Sequence, residues 1–459
     1  YDVLLNRVKV KNGKIVLPDG MQYEVLVLPD EKSIRLELLE LLEKLVTQGM
    51  VLIGPKPEKA TGLSGYPESD AKVKQIALRM WGPSYGNGSG ENRVGKGKVI
   101  WGKTPRQVLE SMGVGPDFSC ASSFPDTHLE YIHRSTGAED LYFVVNRLAR
   151  HGINDTKYRY LTDLPDRYEE VNCLFRITGK VPELWDPLTG KIEKIAVYRE
   201  ENGYTMVPLH LTPEGSVFVV FRDRKPERHI QSLVRDHVNI FPSIRSETGS
   251  FPIFDLCRRN DSVKGVFWLP GKYQLEWSDG TRSELSVNDT SIIKTIHSPW
   301  TLTFEQKWGP SGEMKIDSLF FWTESRDSLI RYYSGKALYT NVFHLLAEDL
   351  DSRRLYLDLG NVQEIASVKI NGKEAGVTWI APFRLNITGL VKEGENRLEV
   401  TVVNSWVNRL IGDSYLPVAK RYTRTNVMKF EGADRESYMR KSGLSGNVMI
   451  ISVKETIVN

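Results

Sequence analysis

The sequence predicts a multidomain fold: an open α/β layer followed by β-sandwich domains. Length is the first reason, since 459 residues suit about three domains of roughly 150 residues each. The second is an alternation of strand and helix confined to the first quarter of the chain. The third is a change of rhythm near residue 128, after which short apolar runs separated by turn clusters continue to the end, as in sheets stacked face to face.

Within 1–127, Tyr23–Leu28 is a short apolar run closed by Pro29-Asp30, which fits a strand buried on both faces. Ile34, Leu38, Leu41, Leu42 and Leu45 then recur at helical spacing, and Gly49 stops the helix. Met50–Ile53 predicts the next strand, Asp70–Met80 a helix, Lys98–Trp101 a strand and Pro105–Ser111 a helix. Strands alternating with crossover helices make a parallel sheet, so this part is expected to be an open parallel, flavodoxin-like layer.

From 128 to 229, Leu129–His133 and Leu141–Val145 flank a turn at Ser135-Thr-Gly137 as a hairpin. Leu174–Thr178, Ile195–Tyr198, Tyr204–Leu209 and Ser216–Phe221 add the strands of a β-sandwich. Arg222–Arg228, charged and bearing a proline, is expected as a linker. Residues 230–296 form a small β module or insertion around the hairpin of Gly271–Trp277 and Ser283–Val287, with its Asp-Gly turn. The last domain, 297–459, returns to strands at Leu355–Leu359, Ile365–Ile370 and Arg397–Val403.

Composition excludes several classes. Sixty-one Lys and Arg against 58 Asp and Glu leave +3, too little to imply a nucleic-acid partner. No apolar run reaches the eighteen or so residues of a membrane span, and none reads as the apolar core of a signal peptide. The chain opens on Tyr1 rather than Met, so an upstream segment is expected to have been removed. Cys120, Cys173 and Cys257 allow at most one bridge and include no C-x-x-C pair; buried free thiols are expected. N-x-S/T sequons at Asn87, Asn154, Asn288 and Asn386 matter only in a glycosylating host.

The motifs that carry chemistry are few. Gly86-Asn-Gly-Ser-Gly90 has the glycines of a phosphate cradle, but that device needs a strand before it and a helix N-terminus after it. Here a helix precedes and a strand follows, so a surface loop is expected. Metal ligation has no spacing motif, and His128 and His133 fall on opposite faces of a strand start; neither metal nor cofactor is expected. No nucleophile elbow is present. Glu139, Glu183, Glu324 and Glu364 read as surface or structural carboxylates, because the pair that cleaves a glycosidic bond usually lies on different strands and has no spacing signature. No catalytic residue is assigned.

Two segments stand out, Trp379-Ile-Ala-Pro-Phe-Arg384 and Asn404–Asp413, each joining a ring to an arginine. A ring can stack on the apolar face of a sugar while Arg and Asn bond its hydroxyls. Trp379, Arg384, Trp406, Asn408 and Arg409 are therefore the candidate carbohydrate-binding residues. The alternative is that both tryptophans fill a sandwich core and Arg409 pairs with Asp413.

Leu17–Tyr23, Leu26–Asp30, Leu63–Asp70, Ile132–Arg147, Glu183–Gly190, Trp300, Lys307-Trp-Gly309, Tyr332–Gly335, Val368–Gly372, Asn408–Asp413 and Ser442–Gly446 follow one another along the chain. As an ordered set they resemble the C-terminal portion of family 106 glycoside hydrolases, the α-L-rhamnosidase type. The resemblance implies that the catalytic (β/α)8 barrel, with its acid and base glutamates, lies N-terminal to the matched region, so no catalytic position is carried over. It implies that residues 297–459 are a galactose-binding-like jelly roll, whereas 230–296 depart from the pattern. The implied role is an accessory region, inactive alone, that supports the missing barrel and contacts a rhamnose-containing glycan. The rivals are a stand-alone carbohydrate-binding module and a purely structural or oligomerisation region. Export to the periplasm or the extracellular space is implied by the same resemblance.

Overall fold

The computed structural model describes residues 1–86, 88–122, 124, 127–146, 168–224, 227–243, 251–259, 262–288, 291–305 and 307–458. Asn87 and Asn154 of the sequons, and Lys225-Pro226 of the expected linker, lie outside the described residues. Two compact units divide the chain, Tyr1–Asp117 and Phe118–Asn459. No helix among the described residues is long and apolar enough to cross a membrane.

In the first unit, Val25–Val27, Val51–Ile53 and Lys98–Ile100 pair in parallel. Alternation along these strands sets the layers. Leu52 and Val99 pack with Leu39, Leu42 and Val46 of the helix Leu36–Gln48 and with Val73 and Ile76 of the helix Glu68–Trp81. Val51, Ile53 and Ile100 pack instead with Val108 of the helix Pro105–Ser111. Burial on both faces is why these strands read as unbroken apolar runs. Pro105–Ser111 is opened by a capping box in which Gln107 N–H donates to Thr104 Oγ1 at 3.3 Å and Thr104 N–H to Gln107 Oε1 at 2.9 Å.

Two features of this unit have no counterpart in the sequence reading. Gly90–Val94 is an antiparallel strand on the edge of the sheet, paired with Gly97–Trp101. Its Glu, Asn and Arg are what an edge strand carries, and they give no apolar run to announce it. Lys9–Lys11, Lys14–Val16 and Gln22–Tyr23 form a second, small antiparallel sheet. The α/β layer, expected to run to 127, is left earlier: Phe118–Ser122 pairs with Glu169–Phe175 and belongs to the second unit.

The second unit is built from antiparallel sheets. An eight-stranded sheet has the order 129–135, 139–146, 216–222, 181–185, 192–195, 254–259, 262–267, 456–458. Its first part packs Tyr142, Val144, Val219 and Phe221 against Val171, Cys173, Phe175 and Val207 of a four-stranded sheet. Its later part packs Leu256, Val263 and Phe267 against Leu233, Tyr273, Leu275 and Trp277 of another four-stranded sheet, formed by 230–235, 238–241, 271–277 and 282–287. Residues 230–287 thus supply half of a sandwich whose other half continues the preceding sheet.

A further sandwich follows. Its six-stranded sheet has the order 313–316, 300–304, 336–345, 394–403, 365–370, 373–378. The facing sheet is formed by 291–295, 449–454, 353–358 and 384–386. Trp300, Leu302, Tyr339, Val368, Val400, Leu355, Leu357 and Ile450 fill the space between. Inside it Trp322 Nε1–H donates to Tyr339 Oη at 2.7 Å, satisfying the one polar atom of a buried indole. The sandwich is tied back to the long sheet. Thr456–Val458 pairs with Gly265–Val263, and Arg354 reaches Asp255 at 3.4 Å.

Candidate carbohydrate-contact site

The helix Val407–Ser414 follows directly from the strand Gly394–Val403. Asn404 fixes the junction: its side chain accepts from Gly335 N–H and donates to Tyr333 C=O, both at 2.9 Å. Helical spacing then sorts the neighbours. Trp406 is 52% exposed, whereas Asn408, Arg409 and Asp413 are buried.

Asn408 donates through Nδ2 to Arg440 C=O at 2.7 Å and accepts Arg440 N–H at 2.9 Å. Arg409 Nε lies 3.1 Å from Asp413 Oδ1, one helical turn on. Asp413 Oδ2 also accepts Thr423 N–H at 2.7 Å and its hydroxyl at 2.6 Å, which binds the following loop to the helix. Charged groups this deep are held only when paired. Arg384 is likewise engaged, its Nη2 lying 2.8 Å from Asp358 Oδ2 and its guanidinium 3.8 Å over the Phe251 ring. Trp379 is 57% exposed.

The structure therefore divides the two alternatives by residue. Arg409 pairs with Asp413, while neither tryptophan enters the core. Trp406 is joined by Trp308, and through it by Tyr422, neither of which the sequence singled out as a binding residue. Trp308 lies 5.5 Å from Trp406 and 6.2 Å from Tyr422, centroid to centroid. Trp308 is oriented from beneath, donating through Nε1 to Ser334 C=O at 2.7 Å. The only sequence signal was the Lys307-Trp-Gly309 match; nothing local relates it to Trp406.

Three of the four acidic candidates, Glu139, Glu183 and Glu364, stand beside arginines. Glu139 and Glu183 sit on strands flanking 216–222, and Arg222 joins them, Nη1 to Glu139 at 2.6 Å and Nε to Glu183 at 3.0 Å. Trp185 Nε1–H also donates to Glu183 at 3.0 Å. Glu364 stands 3.9 Å from Arg440, and Glu324 lies in the short turn Trp322–Glu324. His128 and His133 go to different carboxylates, Glu130 and Asp140. A cavity of about 250 Å³ in the second unit is lined by Leu184, Ile195, His210, Phe254 and Asp255 among others, away from the aromatic cluster. Cys120, Cys173 and Cys257 are free thiols, the last two buried.

Comparison with known proteins fits this architecture. The α-L-rhamnosidase family model matches residues 1–200, and the galactose-binding domain-like model of glycosyl hydrolase family 2 matches 314–445. A protein of Formosa agariphila named "Putative beta-glucuronidase" is 26% identical, over 98% of this chain and 52% of its own length. A rhamnosidase from Novosphingobium sp. PP1Y superposes with a TM-score of 0.70 at 29% identity, over 98% of this chain and 36% of that one. The chain thus spans about half the length of the first and about a third of the second. By these matches the chain is similar to α-L-rhamnosidases, most directly over its first 200 residues, and to a galactose-binding-like glycosyl hydrolase domain over its β-rich 314–445.

Proposed function

We infer that the chain is the non-barrel, accessory region of a rhamnosidase-like glycoside hydrolase. It supports a catalytic (β/α)8 barrel elsewhere in the full protein and contacts a rhamnose-containing glycan. The reading rests on the alignment of nearly the whole chain with about a third of a rhamnosidase. Parallel strands covered by helices on both faces support a flavodoxin-like reading of the first unit. The glycan contact is supported by the exposed rings of Trp406 and Tyr422 beside Trp308, since such faces stack on pyranose rings. In the full protein, hydrolysis would use one carboxylic acid on the leaving oxygen and a second carboxylate to activate water. Export to the periplasm or beyond belongs to the same reading.

Incubated with an aryl rhamnoside, the 459-residue chain is expected to release no product above the enzyme-free rate; repeated turnover sinks the accessory assignment. Calorimetric titration with rhamnose-bearing glycans is expected to give heat. A purely structural role is the second reading, favoured by Arg384, Asn408 and Arg409 being engaged by protein partners. Under it, no sugar in a broad panel gives heat or shifts the melting temperature.

A further inference from the structure

The segment that carries the Trp406 helix is cationic. Trp406–Lys441 contains eight Lys and Arg against four Asp and Glu, a balance of +4 where the full chain carries +3. Several of these charges are neutralised locally: Arg409 by Asp413, Arg421 by Glu431 at 2.7 Å, and Glu436 by Arg331 at 3.2 Å. Lys420 and Arg424 are exposed and have no carboxylate partner among the described residues. Their position follows from the anchor beneath them. Thr423 turns inward to Asp413, so Tyr422 and Arg424 on either side of it face outward, and both are exposed. Lys307, also exposed, adjoins Trp308.

We propose that the Trp308, Trp406 and Tyr422 rings, rimmed by Lys307, Lys420 and Arg424, bind an anionic glycan, one whose sugars bear carboxylate or sulfate groups. This rests on the glycan-contact reading and adds its charge. The rings supply the stacking face, and the unpaired cations supply attraction that weakens with salt. A neutral sugar would leave those cations without a role in binding.

The test titrates the 459-residue chain with a neutral rhamnan, a uronate-bearing polysaccharide, a sulfated polysaccharide and polyglutamate, at low and high salt. At least one anionic polysaccharide is expected to bind about tenfold or more tightly than the neutral one at low salt, with the advantage lost at high salt. Which of the two does so identifies the anion. Lys420→Ala with Arg424→Ala is expected to remove the advantage without lowering the melting temperature, and Trp406→Ala to weaken neutral and anionic glycans alike. Equal affinity for neutral and anionic glycans, or a double variant that binds like the parent, overturns the proposal while the glycan contact stands. Polyglutamate binding as tightly as the glycans also overturns it. Absence of binding to every glycan overturns both.

A separate observation concerns the thiols. Cys120 and Cys173 are direct partners in the antiparallel pairing of Phe118–Ser122 with Glu169–Phe175. Opposite residues in such a pair share one face with Cβ atoms about 4.5–5.5 Å apart, close to what a disulfide spans. We propose that these two form a disulfide by exchange with a small disulfide oxidant, and that Cys257 stays free. The Cys120 thiolate, the more exposed, attacks a sulfur of the oxidant and expels one thiol. Cys173 then displaces the second thiol, closing the protein S–S bond. Burial pushes both thiols up, so exchange should be slow at neutral pH and quicken as pH rises. The chain is incubated with oxidised glutathione, denatured, alkylated and mapped. The expected product joins the Cys120 and Cys173 peptides with Cys257 alkylated, and Cys120→Ser abolishes it. Full alkylation of all three after prolonged incubation at alkaline pH overturns the proposal.

Discussion

Asp413→Ala removes a carboxylate that is 3% exposed, beside an Arg409 that is equally buried. The side chain holds two things at once, the Arg409 charge at 3.1 Å and the Thr423 N–H and hydroxyl of the next loop. Its loss leaves a cation buried without compensation, which costs about 3–5 kcal/mol. For a unit running from Phe118 to Asn459, an unfolding entropy of about 2 cal/mol/K per residue converts this to a Tm lower by about 4–7 °C. Scanning calorimetry measures it, and its calorimetric and van't Hoff enthalpies show whether the unit melts as one. The control is Arg409→Met with Asp413→Leu, which removes both desolvation costs and should be less destabilised than Asp413→Ala alone by about 1 kcal/mol or more. Asp413→Ala melting within about 1 °C of the parent, or a double variant worse than Asp413→Ala, refutes the buried-pair account.

Gly412→Ala would place a Cβ 2.8 Å from Tyr332 Cγ and against the Arg409 guanidinium. A loss of about 1–3 kcal/mol is expected, read as a lower denaturant midpoint at unchanged slope. Trp406→Ala removes a half-exposed ring; it should weaken glycan binding roughly tenfold while changing stability by about 0.5 kcal/mol or less. Asp140 supplies a pH dependence. Burial raises its pKa, but hydrogen bonds to Lys180 at 2.9 Å and His133 at 3.1 Å outweigh that and leave it below the ordinary carboxylate value. A depressed native pKa contributes stability that is present above the unfolded value of about 3.9 and is lost as pH falls through the native one. Lys180→Met should therefore flatten the acid-side fall in Tm; an unaltered profile would show that the pair contributes nothing.

Legibility varied with how local each interaction is. Leu36–Gln48, Glu68–Trp81 and Pro105–Ser111 were readable because a helix buries a stripe set by its own spacing and is stopped by its own caps. The strand Ile365–Ile370 and the hairpin ending at Trp277 were readable for the same reason, alternation and a turn pair. Gly90–Val94 was not, since an edge strand exposes polar side chains and its pairing lies with another segment.

The candidate site splits along the same line. A ring beside an arginine and an i,i+4 Arg-Asp pair are local patterns, so Trp406 and Arg409–Asp413 could be picked out from the sequence alone. Whether Asn408 meets solvent or the Arg440 backbone depends on a segment 32 residues away. Trp308 reaches Trp406 because the strands that precede them, 300–304 and 394–403, lie in one sheet with only 336–345 between them. Residue order fixed the helices, the turns, the strand rhythm and the near-balance of charge, all of which depend on neighbours within a few positions. Tertiary packing alone decided the shared eight-stranded sheet, the Cys120–Cys173 juxtaposition and the cluster of three rings. Those contacts join segments distant in the chain, and no short-range pattern encodes which distant segment a strand or a ring will meet.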